Sequence, residues 1–303
     1  RDDLVTGVQT CALPILEAKV ALLKTRLAPF TDSDTPWTVV QSAPTGYRLR
    51  AEFRVWHDGD DLNYVMFRKG EPETPVIINE FPIASPIIQA LMPTLIAELR
   101  TDPILRRRLF QVEFLSSLSG DMVVTLAYHR KLDEAWLARV ERLANSLQIN
   151  VVGRSRRQKL IIGKDYVDEC LKVAERDFHY RQYEQAFTQP NGEVNREMID
   201  WALARASDIG GDLLELYCGN GNFTLPLATR FRRVLATEVA KSSIAAARHN
   251  AVANKIDNID LVRLSAEEVA QALAGERDFR RLRDTALSSY EFSCVFEIGR
   301  AHV

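Results

Sequence analysis

The chain has 303 residues, 46% of them hydrophobic and 26% charged, with a formal net charge of −2. Those are the proportions of an ordinary globular protein of about two domains, with no global charge to draw it to nucleic acid, so any RNA contact must come from local patches. No apolar run approaches the ~18 residues of a membrane-spanning helix.

The cysteines, Cys11, Cys170, Cys218 and Cys294, form no Cys-x-x-Cys pair. That argues against zinc, an iron–sulfur cluster or a disulfide framework, and for a reducing, cytoplasmic compartment. Neither a metal, a membrane nor a protein partner is expected.

Residues 1–15 fit no element, and their short apolar stretch is broken by Pro14, so a signal peptide is not expected. Together with residues 297–303, Glu-Ile-Gly-Arg-Ala-His-Val, they resemble translated sequencing-adapter sequence. The expectation is a non-native leader over 1–15, a native chain from about Leu16 to Phe296 truncated at its C-terminus, and a non-native tail over 297–303.

Leu16, Val20, Leu22, Leu23 and Leu27 recur at helical spacing up to Pro29, which stops the helix. Residues 47–57 alternate apolar and charged side chains, as a half-buried strand does. Asp58-Gly59-Asp60 is a turn, and Leu62–Phe67 the returning strand. The alternation puts Arg48, Arg50, Glu52 and Arg54 on one face, either a solvated face or one that meets RNA.

Residues 84–100 form an amphipathic helix. Arg106-Arg107-Arg108 precedes a strand at Leu109–Leu115, with another at Met122–Tyr128, a helix over 133–148, and strands near Asn150–Val152 and Lys159–Ile162. Strands mixed with separate helices indicate an α+β domain over 16–165. The basic runs at 48–54, 106–108 and 154–159 can together track a phosphate backbone, although each alone suits a solvated surface.

From about residue 166 the texture changes. A loop at 187–191, a helix from about Asn195 to Ala206, a strand at 212–216, and then Val234–Glu238, a helix over 240–254, Ile259–Leu264, a helix over 266–273 and a buried strand at 292–296 alternate β and α. This is a Rossmann-like parallel α/β domain over 166–296 whose sheet is incomplete.

Its first strand runs into Gly219-Asn220-Gly221-Asn222, where glycines let the backbone bend and approach a ligand. Position 224 is threonine, so the third glycine of a pyrophosphate-binding turn is missing. Glu215 before the turn and Glu238 after the next strand complete the pattern of an S-adenosylmethionine-dependent methyltransferase. An ordinary strand-turn-helix of another α/β enzyme also fits this window.

With these segments placed, the chain resembles the bacterial tRNA (uracil-5-)-methyltransferases over essentially all of residues 16–296. The resemblance is carried by Tyr-Arg-Leu-Arg-Ala-Glu-Phe-Arg-Val-Trp-His-Asp-Gly-Asp-Asp at 47–61, Ala-Tyr-His-Arg-Lys-Leu-Asp-Glu at 127–134, Phe-Thr-Gln-Pro-Asn at 187–191 and Leu-Leu-Glu-Leu-Tyr-Cys-Gly-Asn-Gly-Asn-Phe at 213–223. It implies transfer of a methyl group from S-adenosyl-L-methionine to C5 of the T-loop uridine of tRNA. It further implies cofactor contacts at Gln189, Tyr217, Gly219, Asn222 and Glu238, and RNA contacts at Arg54, Phe110 and His129.

In this family a cysteine adds to C6 of uracil and a glutamate removes the C5 proton. The cysteine's Ser-Cys-Asn-Pro motif and a cofactor-side Asp-Pro-Pro-Arg motif follow the strand matching Ser293–Phe296. Here Glu297-Ile298 stands where Val-Asp is expected. Cys218 and Cys294 read as buried packing, so no catalytic residue is assigned and the 303 residues are expected to be inactive. The rivals are an rRNA uridine C5 methyltransferase, a non-catalytic tRNA-binding or folding module, and, least favoured, a nicotinamide dehydrogenase.

Overall fold

The computed structural model describes residues 8–32, 34–68 and 70–298. They form two compact units. One holds the described residues up to Ser116 with Met122–Asp165 and Pro190–Val194; the other holds Ser117–Asp121, Tyr166–Gln189 and the described residues from Asn195.

The first unit begins with α1 (Val8–Leu27), which starts before the expected Leu16. Residues 1–7 and 299–303, the remainder of the two ends expected to be foreign, lie outside the described residues. Then come β1 (Arg50–Asp58), β2 (Asp61–Arg68), β3 (Glu71–Ile77), α2 (Pro86–Thr101), the short α3 (Pro103–Arg106), β4 (Leu109–Ser116), β5 (Met122–Tyr128), α4 (Glu134–Leu147), β6 (Asn150–Ser155) and β7 (Gln158–Ile162). The strands make one sheet in the order β3-β2-β1-β4-β5-β6-β7. Neighbours are antiparallel except β5 and β6, which run parallel with α4 connecting them.

Period-two patterning decides which side of β1 is buried. Ala51, Phe53 and Val55 face the core, while Glu52, Arg54 and Trp56 are exposed. Arg48 lies outside β1, in isolated bridges to Ala84 and Asn191, so it is not part of that strand's charged face. Phe53 packs on Tyr64 and Phe114 with ring centroids 5.3 and 6.2 Å apart. Ile88, Met92, Leu95 and Leu99 of α2 join them, as do Trp136 and Val140 of α4. Each such side chain contributes about 1.5–3 kcal/mol on burial.

Asp102 and Asp133 cap α3 and α4 by accepting backbone N–H bonds. The β4–β5 ladder is irregular: Leu109 pairs with Tyr128 but Gln111 with Ala127, leaving Phe110 as the extra residue of a bulge.

The second unit opens with a hairpin, β8 (Tyr166–Val173) and β9 (Arg176–Tyr183), which the sequence reading passed over. It continues with α5 (Gly192–Arg205), whose first residues belong to the first unit, then β10 (Asp212–Leu216), α6 (Thr224–Ala228), β11 (Arg233–Thr237), α7 (Lys241–Ala253), β12 (Ile259–Val262), α8 (Ala266–Leu273) and β13 (Phe292–Glu297). The parallel sheet runs β12-β11-β10-β13. Leu213 and Leu214 point to separate apolar clusters, one holding residues of α5, α6 and α7 and the other Val269 of α8. A strand covered on both faces reads as a continuous apolar run.

β13 differs from the expected buried strand. It ends the sheet among the described residues, and alternate side chains are exposed, Val295 by 60%.

The free side of β9 is held by side chains of α7. Asn250 Oδ1 accepts from Arg181 N at 2.8 Å, and its Nδ2 donates to Arg181 O at 3.4 Å and to Asn220 O at 3.0 Å. Asn254 repeats the pattern on His179, accepting at 2.8 Å and donating at 2.6 Å.

The packing of α4 on β6 leaves no room for a side chain at Gly153, where an added Cβ would lie 2.1 Å from Trp136 Cη2. Gly153→Ala should therefore cost about 1–3 kcal/mol through overpacking, read as a fall in Tm of about 2–12 °C. An unchanged Tm would mean that the indole can move aside freely.

Candidate functional site

The turn after β10 is built from left-handed backbone. Tyr217 has φ +57, Gly219 +58 and Gly221 +87. A β-branched or bulky residue rarely occupies that region, and Tyr217 does so beside two glycines that tolerate it. Cys218 N–H donates to Thr237 O and Gly221 N–H to Cys218 O, both at 2.9 Å, which holds the turn against the end of β11. A Cβ on Gly219 would meet no atom within 4 Å, so the space beside it is open.

Glu238 follows β11 directly, and its carboxylate is fixed from both sides. Oε1 accepts from Val239 N at 2.7 Å and Ala240 N at 2.8 Å, at the start of α7. Oε2 accepts from Gly219 N at 3.2 Å. The glycine turn and the acid, 19 residues apart, thus meet through one hydrogen bond.

Asn222 is half-buried, and its carboxamide is paired with that of Asn195 from α5. Asn195 Nδ2 donates to Asn222 Oδ1 at 2.9 Å, and Asn222 Nδ2 donates to Asn195 Oδ1 at 2.8 Å. Tyr180 of β9 donates its hydroxyl to Asn222 O at 3.0 Å. Gln189 lies half-buried in the loop before α5, with no side-chain hydrogen bond to the turn. The structure therefore joins Gly219 to Glu238 and keeps Tyr217 and Asn222 in the same turn, while Gln189 makes no bond to them.

Asn195, Tyr180 and Asn250 escaped the sequence reading. The alternation Phe178-x-Tyr180-x-Gln182, all three buried, was the available signal for β9. Nothing in the local pattern marks Asn195 or Asn250.

Beneath the turn sits Glu215, 2% exposed on β10. Burial pushes its carboxyl up to about 8; the Thr224 hydroxyl tempers the rise without closing a normal hydrogen bond, and Oε2 has no partner among the described residues. Burial also raises the cysteines. Cys218, close to Glu215 and Glu238, lies well above its ordinary range. Cys170 is raised by burial and by Asp177 and Glu169, and Cys294, half-buried where full burial was expected, by burial.

The first unit gathers a second set of residues. The Phe110 and His129 rings stack 3.8 Å apart at 17°, and Arg54 Cζ lies 5.2 Å from the Phe110 ring centre. The bulge turns Phe110 out of the core, and His129 N–H donates to Arg108 O at 3.0 Å. All three residues expected on the RNA side lie in one cluster.

A family model described as tRNA (Uracil-5-)-methyltransferase matches residues 13–300. The chain belongs to this family. It is 55% identical over 282 residues to a tRNA/tmRNA (uracil-C(5))-methyltransferase of Stutzerimonas stutzeri, covering 93% of this chain and 77% of that protein. With the protein of the same description from Dechloromonas aromatica it shares 50% over 281 residues, at the same coverages. Its fold is that of the Pyrococcus abyssi tRNA (uracil-54, C5)-methyltransferase solved with S-adenosyl-L-homocysteine: TM-score 0.64, 18% identity, covering 86% of this chain and 66% of that one.

The buried acid makes stability pH-dependent. Below about pH 4 Glu215 is protonated in both states; between its ordinary 4.5 and about 8 only the unfolded chain ionises it, so the stability it carries is lost as pH rises. Glu215→Gln should therefore raise Tm relative to the unsubstituted chain by a margin that grows from pH 5 to pH 8. A margin flat across that range would show that this carboxyl ionises normally.

Proposed function

We propose that the turn of the second unit binds S-adenosylmethionine, and that the family chemistry is methyl transfer to C5 of the T-loop uridine of tRNA. The observation that carries this is the bond between Gly219 N–H and a Glu238 carboxylate already held by two further N–H groups. A carboxylate placed there suits a pair of ribose hydroxyls, as charge-assisted bonds of the stronger kind.

The remaining groups fit the rest of such a cofactor. Open space beside Gly219 admits a ligand close to the backbone, and Tyr217 and Asn222 flank it. The unpartnered Glu215 oxygen is an acceptor for positive charge in a buried place. Gln189 can donate or accept toward the same end. When bound, S-adenosylmethionine supplies the electrophilic methyl group.

Arg54, Phe110 and His129 are assigned to RNA. A stacked aromatic pair with a guanidinium over it presents flat faces on which a splayed-out loop base can stack. The target uridine would be flipped from its loop to reach the cofactor. A tRNA substrate places the work in the cytoplasm, and no helix among the described residues is long and apolar enough to cross a membrane.

The step that needs a thiolate has no candidate among Cys170, Cys218 and Cys294, whose thiols all titrate above their ordinary value. A thiol that stays protonated is a poor nucleophile. On these three cysteines of the described residues, the chain is read as one that binds cofactor and tRNA and does not turn over.

Titration calorimetry with S-adenosylhomocysteine should show binding, weakened about 10- to 100-fold by Glu238→Ala, a loss of about 1.4–2.8 kcal/mol. Labelled S-adenosylmethionine should leave no methyl group on tRNA. Binding unaffected by Glu238→Ala would remove the cofactor assignment, and labelled tRNA would remove the inactive reading.

A further inference from the structure

The stacked pair does not stand alone at its end of the sheet. Three chain segments meet there, joined by side chains bonded to backbone groups. Arg130 donates from Nε to Arg107 O at 3.0 Å and from Nη2 to Ile104 O at 2.8 Å, fastening the loop after β5 to α3 and the loop before β4. On its other side that loop is fastened to the β6–β7 turn. Gln158 accepts from Leu132 N at 2.9 Å and donates to Leu132 O at 3.2 Å, and the Ser155 hydroxyl donates to Arg130 O.

The arginines here divide by task. Arg106 is spent on Gly59 O and Asp60, and Arg130 on carbonyls and Asp133. Arg107, Arg108, Lys131, Arg156 and Arg157 are exposed and form no ion pair among the described residues. Arg156 and Arg157 are the whole of a two-residue hairpin turn, Ser155 pairing with Gln158. Arg157 has φ +61, and Arg108 φ +59. Such positions favour glycine or asparagine, so an arginine at the tip sacrifices backbone comfort for a side chain.

We propose that the Arg156–Arg157 turn is a second RNA contact, a phosphate grip that takes the backbone beside the loop held by Phe110 and His129. Its place supports this: one or two strand spacings, about 5–10 Å, separate the end of β5 from the β6–β7 turn, which is the reach of adjoining nucleotides. Lys131 follows β5, while Arg107 and Arg108 extend the basic surface on the β4 side. Contacts of this kind add affinity without reading sequence. The proposal rests on the assignment of RNA to this unit.

The test is anisotropy of a labelled tRNA transcript against the full chain, over a range of salt concentrations. Arg156→Ala with Arg157→Ala should weaken binding about tenfold and lower the slope of log K against log salt by about 1–2, as expected for phosphates no longer neutralised. Phe110→Ala should weaken binding with the slope unchanged. Arg142→Ala, an exposed site on α4, should change neither. Arg157→Gly should keep or raise Tm while losing affinity, which separates contact from folding. A slope unchanged in the double variant, with Phe110→Ala still harmful, overturns the grip alone. No binding by the unsubstituted chain overturns the RNA assignment together with it.

Discussion

Everything in the second unit is referred to one reversal of the chain. Tyr217, Gly219 and Gly221 all take left-handed backbone, so the strand ends abruptly and the next helix begins within a few residues. That geometry turns the N–H of Gly219 toward Glu238, and both lie at the carboxyl ends of adjacent parallel strands. In an open α/β sheet this is where ligands gather, because strand ends and helix starts bring unpaired backbone groups together. Burial of Glu215 beneath the turn is the counterpart, since a carboxyl shut in an apolar layer favours its neutral form up to about pH 8.

The first unit solves a different problem with one extra residue. A regular β4–β5 ladder alternates sides, which would make Phe110 one more member of a buried or a solvated row. The bulge breaks the alternation and sets the ring on His129, at the ends of two interior strands and beside basic loops. The same local irregularity that costs a ladder hydrogen bond thus produces a flat surface where the sheet ends.

Much of this was legible in the residues, for physical reasons that differ from place to place. The strand β5 and the helix α8 lie where periodicity puts them, because burial on one or both faces leaves a strong pattern. The Gly-x-Gly turn and Glu238 were readable because each needs a particular residue type at a particular place. The hairpin β8–β9 was not, since Glu169, buried and bonded to Leu118 N and the Ser119 hydroxyl, interrupts the apolar alternation. Asn195 and Asn250 left no trace at all. An asparagine in a helix reads as a solvated residue until its partner, distant in sequence, is known. β13 was misjudged for a related reason: an apolar run indicates affinity for a core, but not whether a neighbour covers both faces.

The asparagines of α7 amount to an imitation of a β-strand. Four residues of helix rise about 6 Å, and two residues of strand about 6.6 Å, so carboxamides one helical turn apart meet every second residue of β9 in register. Asn250 and Asn254 each offer an amide that answers both the N–H and the C=O of one residue, as a neighbouring strand would. The hairpin's outer edge is thereby closed to recruitment by another chain, a form of self-protection that spends no additional strand. Because Asn250 also holds Asn220 O, the same closure ties the hairpin to the glycine turn.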